Sequence, residues 1–202
     1  MSPLLAFSRL VDTLSEWLGK SIIWLVLAAV VISAGNAVMR KAFDIGSNAF
    51  LEIQWYLFAA VFMLGVGYVF LRNAHVRIDF ISSKLSKRTN AIIDSIGIVV
   101  FTIPLSIILI DLSWPLFHNA WVSGEVSSNA GGLIRWPALL LIPVGFGLLL
   151  LQSLSELIKR IAFIAGKTAE PFSVDPHAKS AEEELLEELR AEAEKHDLKG
   201  AR

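Results

Sequence analysis

The 202-residue chain has no cysteine, which excludes disulfides, thiolate catalysis and thiolate-held metals. Charge is scarce as well: Asp, Glu, Lys and Arg make up 18% of the residues, against about a quarter in soluble domains. No stretch gathers Lys and Arg into the dense basic patch that nucleic-acid binding requires, so that class is excluded. The four histidines are His75, His118, His177 and His196, and none lies in the middle of an apolar run. A bundle holding haem would need axial ligands facing its interior at matched depth, and that constellation is missing. HExxH, GxSxG, P-loop and EF-hand patterns are absent too, so neither an enzyme nor a cofactor is expected. What the chain does have is apolar bulk: 54% hydrophobic residues, twelve Phe and six Trp, with a mean hydropathy of +0.60. Its polar surface is too small to cover it in water, and lipid must do the covering.

Four apolar runs are long enough to cross a bilayer core that needs about 20 helical residues: Ser21–Met39, Glu52–Leu71, Ala91–Ser113 and Pro137–Ile158. They predict an all-α integral membrane protein with a four-helix transmembrane domain over 21–166. Asp94 and Asp111 fall inside the third run, but seventeen helical steps separate them, roughly 25 Å, which puts them near opposite interfaces. Pro104 between them removes a backbone donor and is expected to kink the helix. Arg40–Leu51 reads as a short link. Trp114–Trp136 reads as a longer one, with Trp114, Trp121 and Trp136 suited to the membrane boundary and a turn at Ser128–Gly132.

Positive charge assigns the sides. Arg9 and Lys20, the five basic residues between Arg72 and Arg88, and Lys159, Arg160 and Lys167 stand on one side; only Arg40, Lys41 and Arg135 stand on the other. The side richer in Lys and Arg stays in the cytoplasm, so both termini are predicted to be cytoplasmic in a bacterial inner membrane. Residues 1–20 predict a separate amphipathic helix: Phe7, Leu10, Val11, Leu14, Trp17 and Leu18 share one face, while Arg9, Asp12, Ser15 and Glu16 lie on the other. Such a helix can lie in the interface plane or pack on its own bundle, and both readings stay open. Residues 167–202 form a linker with Pro171 and Pro176, followed by an acidic segment rich in Glu, Ala and Leu that is expected to be a solvated helix.

Three groups of residues invite a sharper reading. Gly65 and Gly67 in the second span, like Gly145 and Gly147 in the fourth, are too deep in apolar sequence for phosphate loops and suit close helix approach, whether to this chain or to another. Glu52 opens the second span, where the positive end of the helix dipole favours a carboxylate; the alternative is a pair with Arg40, Lys41 or a partner's base. Arg72-Asn-Ala-His-Val-Arg-Ile-Asp79 packs several charge types into eight positions, and plain basic anchoring explains neither His75 nor Asp79. Arg72, His75, Arg77 and Asp79 therefore read as a contact surface.

The segments Glu52-Ile-Gln-Trp-Tyr-Leu-Phe58, Gly65-Val-Gly67, His75-Val-Arg-Ile-Asp79 and Ser127-Ser-Asn-Ala-Gly-Gly-Leu-Ile-Arg-Trp-Pro137, in this order and spacing, resemble the small membrane subunit (DctQ type) of tripartite ATP-independent periplasmic, or TRAP, transporters. The resemblance covers about Phe7 to Ala165 and leaves out the acidic tail. It implies two protein partners besides membrane lipid, namely a large membrane subunit and a periplasmic solute-binding protein. It further implies that the small subunit braces a carrier driven by an ion gradient, typically for organic acids. Glu52, Gly65, Gly67, Arg72, His75, Arg77 and Asp79 would then serve subunit contact or local folding, with no substrate site in this chain. Four spans without buried polar groups at mid-depth make a poor carrier alone. The rival readings are a membrane redox or quinone-interacting subunit, which a haem absorbance band would reveal, and an autonomous small carrier.

Overall fold

The computed structural model describes residues 2–44, 46–72 and 85–168. His75, Arg77, Asp79 and the acidic tail beyond Thr168 lie outside the described residues. The elements are α1 (Ser2–Phe43), α2 (Asn48–Leu71), α3 (Lys87–Gly97), a π-turn (Ile98–Thr102), α4 (Ile103–Ser123) and α5 (Trp136–Ile164). The α3–π–α4 stretch counts as one rod, and four helices are therefore long and apolar enough to cross a membrane.

The first helix differs from the expected pair of pieces. No proline interrupts it after Pro3, and the Ala-, Leu- and Val-rich sequence runs in one 42-residue helix through the expected boundary at Lys20. Among the described residues there is no separate amphipathic helix before Lys20. Arg40 and Lys41 in its last turn complement the helix dipole, and Asp44 turns the chain away with φ at +54°. In the third rod the irregularity caused by Pro104 takes the form of the π-turn just before it, where the Ile103 amide donates to the Ile98 carbonyl five residues back. The helix then continues past Trp114 to Ser123, well beyond the expected end at Ser113, and stops at Gly124, whose φ of +63° is the left-handed cap that glycine takes without a steric cost.

Packing makes α5 the hub. Its most apolar window is 33% buried within the chain, against 6% for α1 and 11% each for α2 and the α3–α4 rod. α5 lies against α1, α2 and the α3–α4 rod, and α1 also packs along α2. With lipid outside, there is little hydrophobic force between helices, so close approach and dispersion must hold them. A Cβ built on Gly145 would meet the Met63 backbone at 2.8 Å, and one on Gly19 would enter the Tyr68 ring at 2.2 Å. Gly65 faces Ile22 of α1 and Gly67 faces Ser15 of α1 and the Leu148 backbone of α5, so both serve contacts within this chain.

Candidate functional site

Two polar clusters sit at opposite ends of the bundle. The first is built on one face of α2, where Asn48, Glu52 and Tyr56 follow one another at a spacing of four and so stack along the helix. All three reach the loop between α4 and α5. This loop is a hairpin-like turn with an isolated bridge between Val126 and Ile134, closed by Ser127 N–H to Leu133 O at 2.8 Å. Glu52, only 3% exposed, takes the Asn129 side-chain amide at 2.8 Å, the Leu133 backbone N–H at 2.6 Å and the Ser127 hydroxyl. Above and below it, Asn48 donates to the Ala130 carbonyl and Tyr56 to the Ile134 carbonyl, each at 3.0 Å. Gly132 leaves the room this requires, since a Cβ there would stand 2.9 Å from the Glu52 carboxylate. Among the described residues the partners of Glu52 are thus neutral loop donors, and neither Arg40 nor Lys41 is one of them. Arg135, one of the three basic residues on the less basic side, pairs with Glu125 across the base of the same loop.

The second cluster lies where the N-terminal half of α1 meets the C-terminal half of α5. Ser8, Asp12 and Ser15 repeat at helical spacing and point inward. The Ser8 hydroxyl meets that of Ser155 at 2.7 Å, and Ser15 donates to Gln152 at 2.7 Å. Asp12 accepts from Gln152 and Ser155, each at 2.9 Å, and pairs with Lys159 at 3.0 Å. Lys159 also pairs with Glu156, which binds Arg160 at 2.5 Å, and Arg160 reaches Asp94 of α3 at 3.5 Å. The lattice therefore links α1, α5 and α3 through three carboxylates and two cations. Beside it Arg72, at the end of α2, binds Glu16 at 2.6 Å and lies 5.5 Å over the Tyr68 ring. The bond to Glu16 holds the Arg72 guanidinium pKa above its ordinary value.

The structure turns the polar side of the first turns inward: Asp12, Ser15 and Glu16, which the sequence places opposite the apolar stripe, face the bundle, while Phe7, Leu10, Leu14 and Trp17 of that stripe are exposed and its Val11 is buried. A signal was present: polar residues at 8, 12 and 15 are spaced four then three, and those at 159, 155 and 152 repeat this spacing in the reverse chain direction, which is how two antiparallel polar stripes zip together. Asp94, read as lying at an interface, contributes to the same lattice. Of the candidate residues, Glu52, Gly65, Gly67 and Arg72 are placed at contacts within the chain. Among the described residues, no three His, Asp or Glu side chains converge to hold a metal ion. An apolar cleft lined by Ile32, Gly35, Asn36 and Met39 of α1 and by Ser47 and Phe50 opens where α1 and α2 meet.

Four apolar rods, a central α5 and polar groups committed to helix–helix and helix–loop contacts define a multi-pass membrane protein. The family model for the DctQ component of tripartite ATP-independent periplasmic transporters matches residues 29–163, and the chain belongs to that family. It is accordingly a transporter component and not an enzyme, and membership implies a large DctM subunit and a periplasmic DctP binding protein as partners. No curated protein and no solved structure matches the chain.

Proposed function

We propose that this chain is the static scaffold of a TRAP transporter, bracing the large permease subunit while an ion gradient drives uptake of an organic acid delivered by the periplasmic binding protein. The observation that carries this reading is where the buried polar groups go. Glu52 is committed to the loop and Asp12, Glu156, Lys159 and Arg160 are committed to one another. A carrier exposes such groups to a path near mid-depth; here they lock helices together at the two ends. The charge asymmetry supports cytoplasmic termini, with the Glu52 loop on the periplasmic face. Arg72, His75, Arg77 and Asp79 contact the large subunit, while Glu52, Gly65 and Gly67 support that contact from within by fixing the scaffold's shape.

Reconstitution tests the reading. Liposomes containing this chain, the large subunit and the binding protein should take up a carboxylate solute under an ion gradient, and liposomes with this chain alone should not. Uptake by the chain alone would overturn the scaffold role.

A further inference from the structure

We propose that Asp111, on the outward side of α4, is the docking charge for a transmembrane helix of the large DctM subunit that carries a Lys or Arg at the same depth; this deepens the scaffold reading and rests on it. α4 packs along α5, and its inward side is marked by Ser106, Ser113 and Ala120, seven residues apart and all buried. The two inner hydroxyls are satisfied within the helix, Ser106 by the Thr102 carbonyl and Ser113 by the Leu109 carbonyl. Each residue turns the helix by about 100°, so Asp111 stands roughly 160° round from Ser113. It is exposed alongside Ile108, Pro115 and Val122, and its carboxylate has no hydrogen bond or ion pair among the described residues.

Depth is what makes this group informative. The third rod is fixed at one end by Asp94, which meets Arg160 at 3.5 Å, and at the other by Trp121, whose ring lies 4.5 Å from that of Trp136. Asp111 lies about 25 Å along the rod from the first point and about 15 Å from the second. It is on the hydrocarbon side of Trp114, Trp121 and Trp136 alike, deeper than the interface at which the sequence alone placed it, because the helix runs on to Ser123. Outward side chains beyond it are still apolar, with Leu112, Leu116 and Val122 each more than half exposed. Lys or Arg at such a depth can snorkel to the surface along a long stem, but an Asp carboxylate sits on one methylene and cannot. Lipid tails offer it no donor, so an ionisable group here calls for a protein partner.

The possible occupants differ in what they offer a carboxylate. Lipid headgroups carry phosphates, which repel it, and they stay at the interface. A second copy related by a two-fold axis along the membrane normal would bring Asp111 level with Asp111, and like charges repel. The nearest basic side chain on that face, His118, is seven residues or about 10 Å further along the rod. Within this chain the bases of the same half are placed elsewhere, since Arg135 pairs with Glu125 and Arg40 and Lys41 close α1. A Lys or Arg on a helix of the large subunit supplies the missing charge, and such a pair is strong where water is excluded.

Cover by lipid and pairing with a partner's base predict opposite outcomes. The full chain would be tagged and co-expressed with the large subunit, and the large subunit recovered with it in mild detergent would be measured. Asp111→Leu should lower that recovery roughly tenfold by stranding the partner's base, whereas Asp111→Glu should keep it within about twofold. The melting temperature of the isolated chain should not fall in Asp111→Leu, since the carboxylate makes no contact there. Full recovery with Asp111→Leu, which lipid cover predicts, overturns the proposal while leaving the scaffold reading intact. An equal loss with Asp111→Glu, or a fall in melting temperature that accounts for the loss, does the same. If the unmodified chain fails to co-purify with the large subunit, the scaffold reading itself falls. The partner's chemistry is read separately. The chain has no cysteine, so Ile108→Cys, on the same face and close to one turn from Asp111, takes a benzophenone maleimide at that position alone. Irradiation in membranes should join it to a transmembrane peptide of the large subunit that has Lys or Arg within about one turn of the attachment point. A peptide without such a base, an adduct of twice this chain's mass, or no large-subunit adduct at all overturns the proposal.

Discussion

The two polar clusters solve different problems with different chemistry. At the loop end a single carboxylate, Glu52, is satisfied by neutral donors and ties α2 to a connecting turn. At the other end opposite charges are interleaved, Asp12 with Lys159 and Glu156 with Arg160, and tie three helices to one another. Removing one member of the first frees a loop; removing one member of the second strands a buried charge between helices. The bundle should therefore be globally fragile at the lattice end and only locally fragile at the loop end.

Glu156→Ala probes the contrast most severely. It leaves Lys159 and Arg160, whose side chains are 14% and 4% exposed, short of their shared carboxylate. Breaking a buried pair from one side costs about 3–5 kcal/mol, and the whole bundle should lose that stability, visible as a lowered melting temperature in detergent. A melting temperature equal to that of the unmodified chain would show that the lattice does not bear on the fold. Next in size is Gly145→Ala. The added methyl meets the Met63 backbone, which cannot rotate away, so α2 and α5 must part at a cost of about 1–3 kcal/mol. Gly147→Ala on the same helix meets nothing and should be neutral or slightly stabilising in the same melting experiment.

How much of this was legible in the sequence differs between the same two ends. The four rods were readable because about 20 apolar residues in succession suit a bilayer core and little else. Their ends were less so: α4 outran Ser113 by ten residues, since Trp114, Pro115 and Trp121 look like boundary residues yet are tolerated inside the helix once it leaves hydrocarbon. The inward direction of Asp12 and Ser15 was missed because amphipathicity tells that a helix has two faces and not which solvent each face meets. In water the polar face goes out; beside lipid it goes in. Glu52 stood out as notable, but its partners lie some 75–81 residues away in the chain, beyond the reach of local spacing. Gly65 and Gly67 were recognised as packing positions, although only coordinates could assign them to α1 and α5.

Glu52→Gln sharpens the comparison from the loop side. The amide keeps one acceptor oxygen but turns an NH₂ towards donors that need acceptors, so the Ser127, Asn129 and Leu133 contacts cannot all survive. Hydrogen exchange at the Leu133 amide should speed up roughly tenfold, the mark of a local opening, while the global melting temperature stays nearly constant. A fall in melting temperature as large as that of Glu156→Ala would erase the distinction between the two ends.

The smallest effect is expected just outside the lattice, where Glu16 has two basic neighbours of unequal burial. Lys20 approaches it at 3.3 Å with its side chain 74% exposed, whereas Arg72 approaches at 2.6 Å with its side chain 34% exposed and stacked on Tyr68. Exposed i,i+4 pairs contribute about 0.3–0.5 kcal/mol, and water takes over most of that role when one partner leaves. Lys20→Ala should therefore barely move the melting temperature, and Arg72→Ala should lower it more, because it also uncovers the Tyr68 ring that sits on Gly19 and seals α1 against α2. If the two variants behaved alike, proximity to Glu16 alone would set the energetics; the larger loss at Arg72 would show that charge matters in this bundle where a helix contact is built around it.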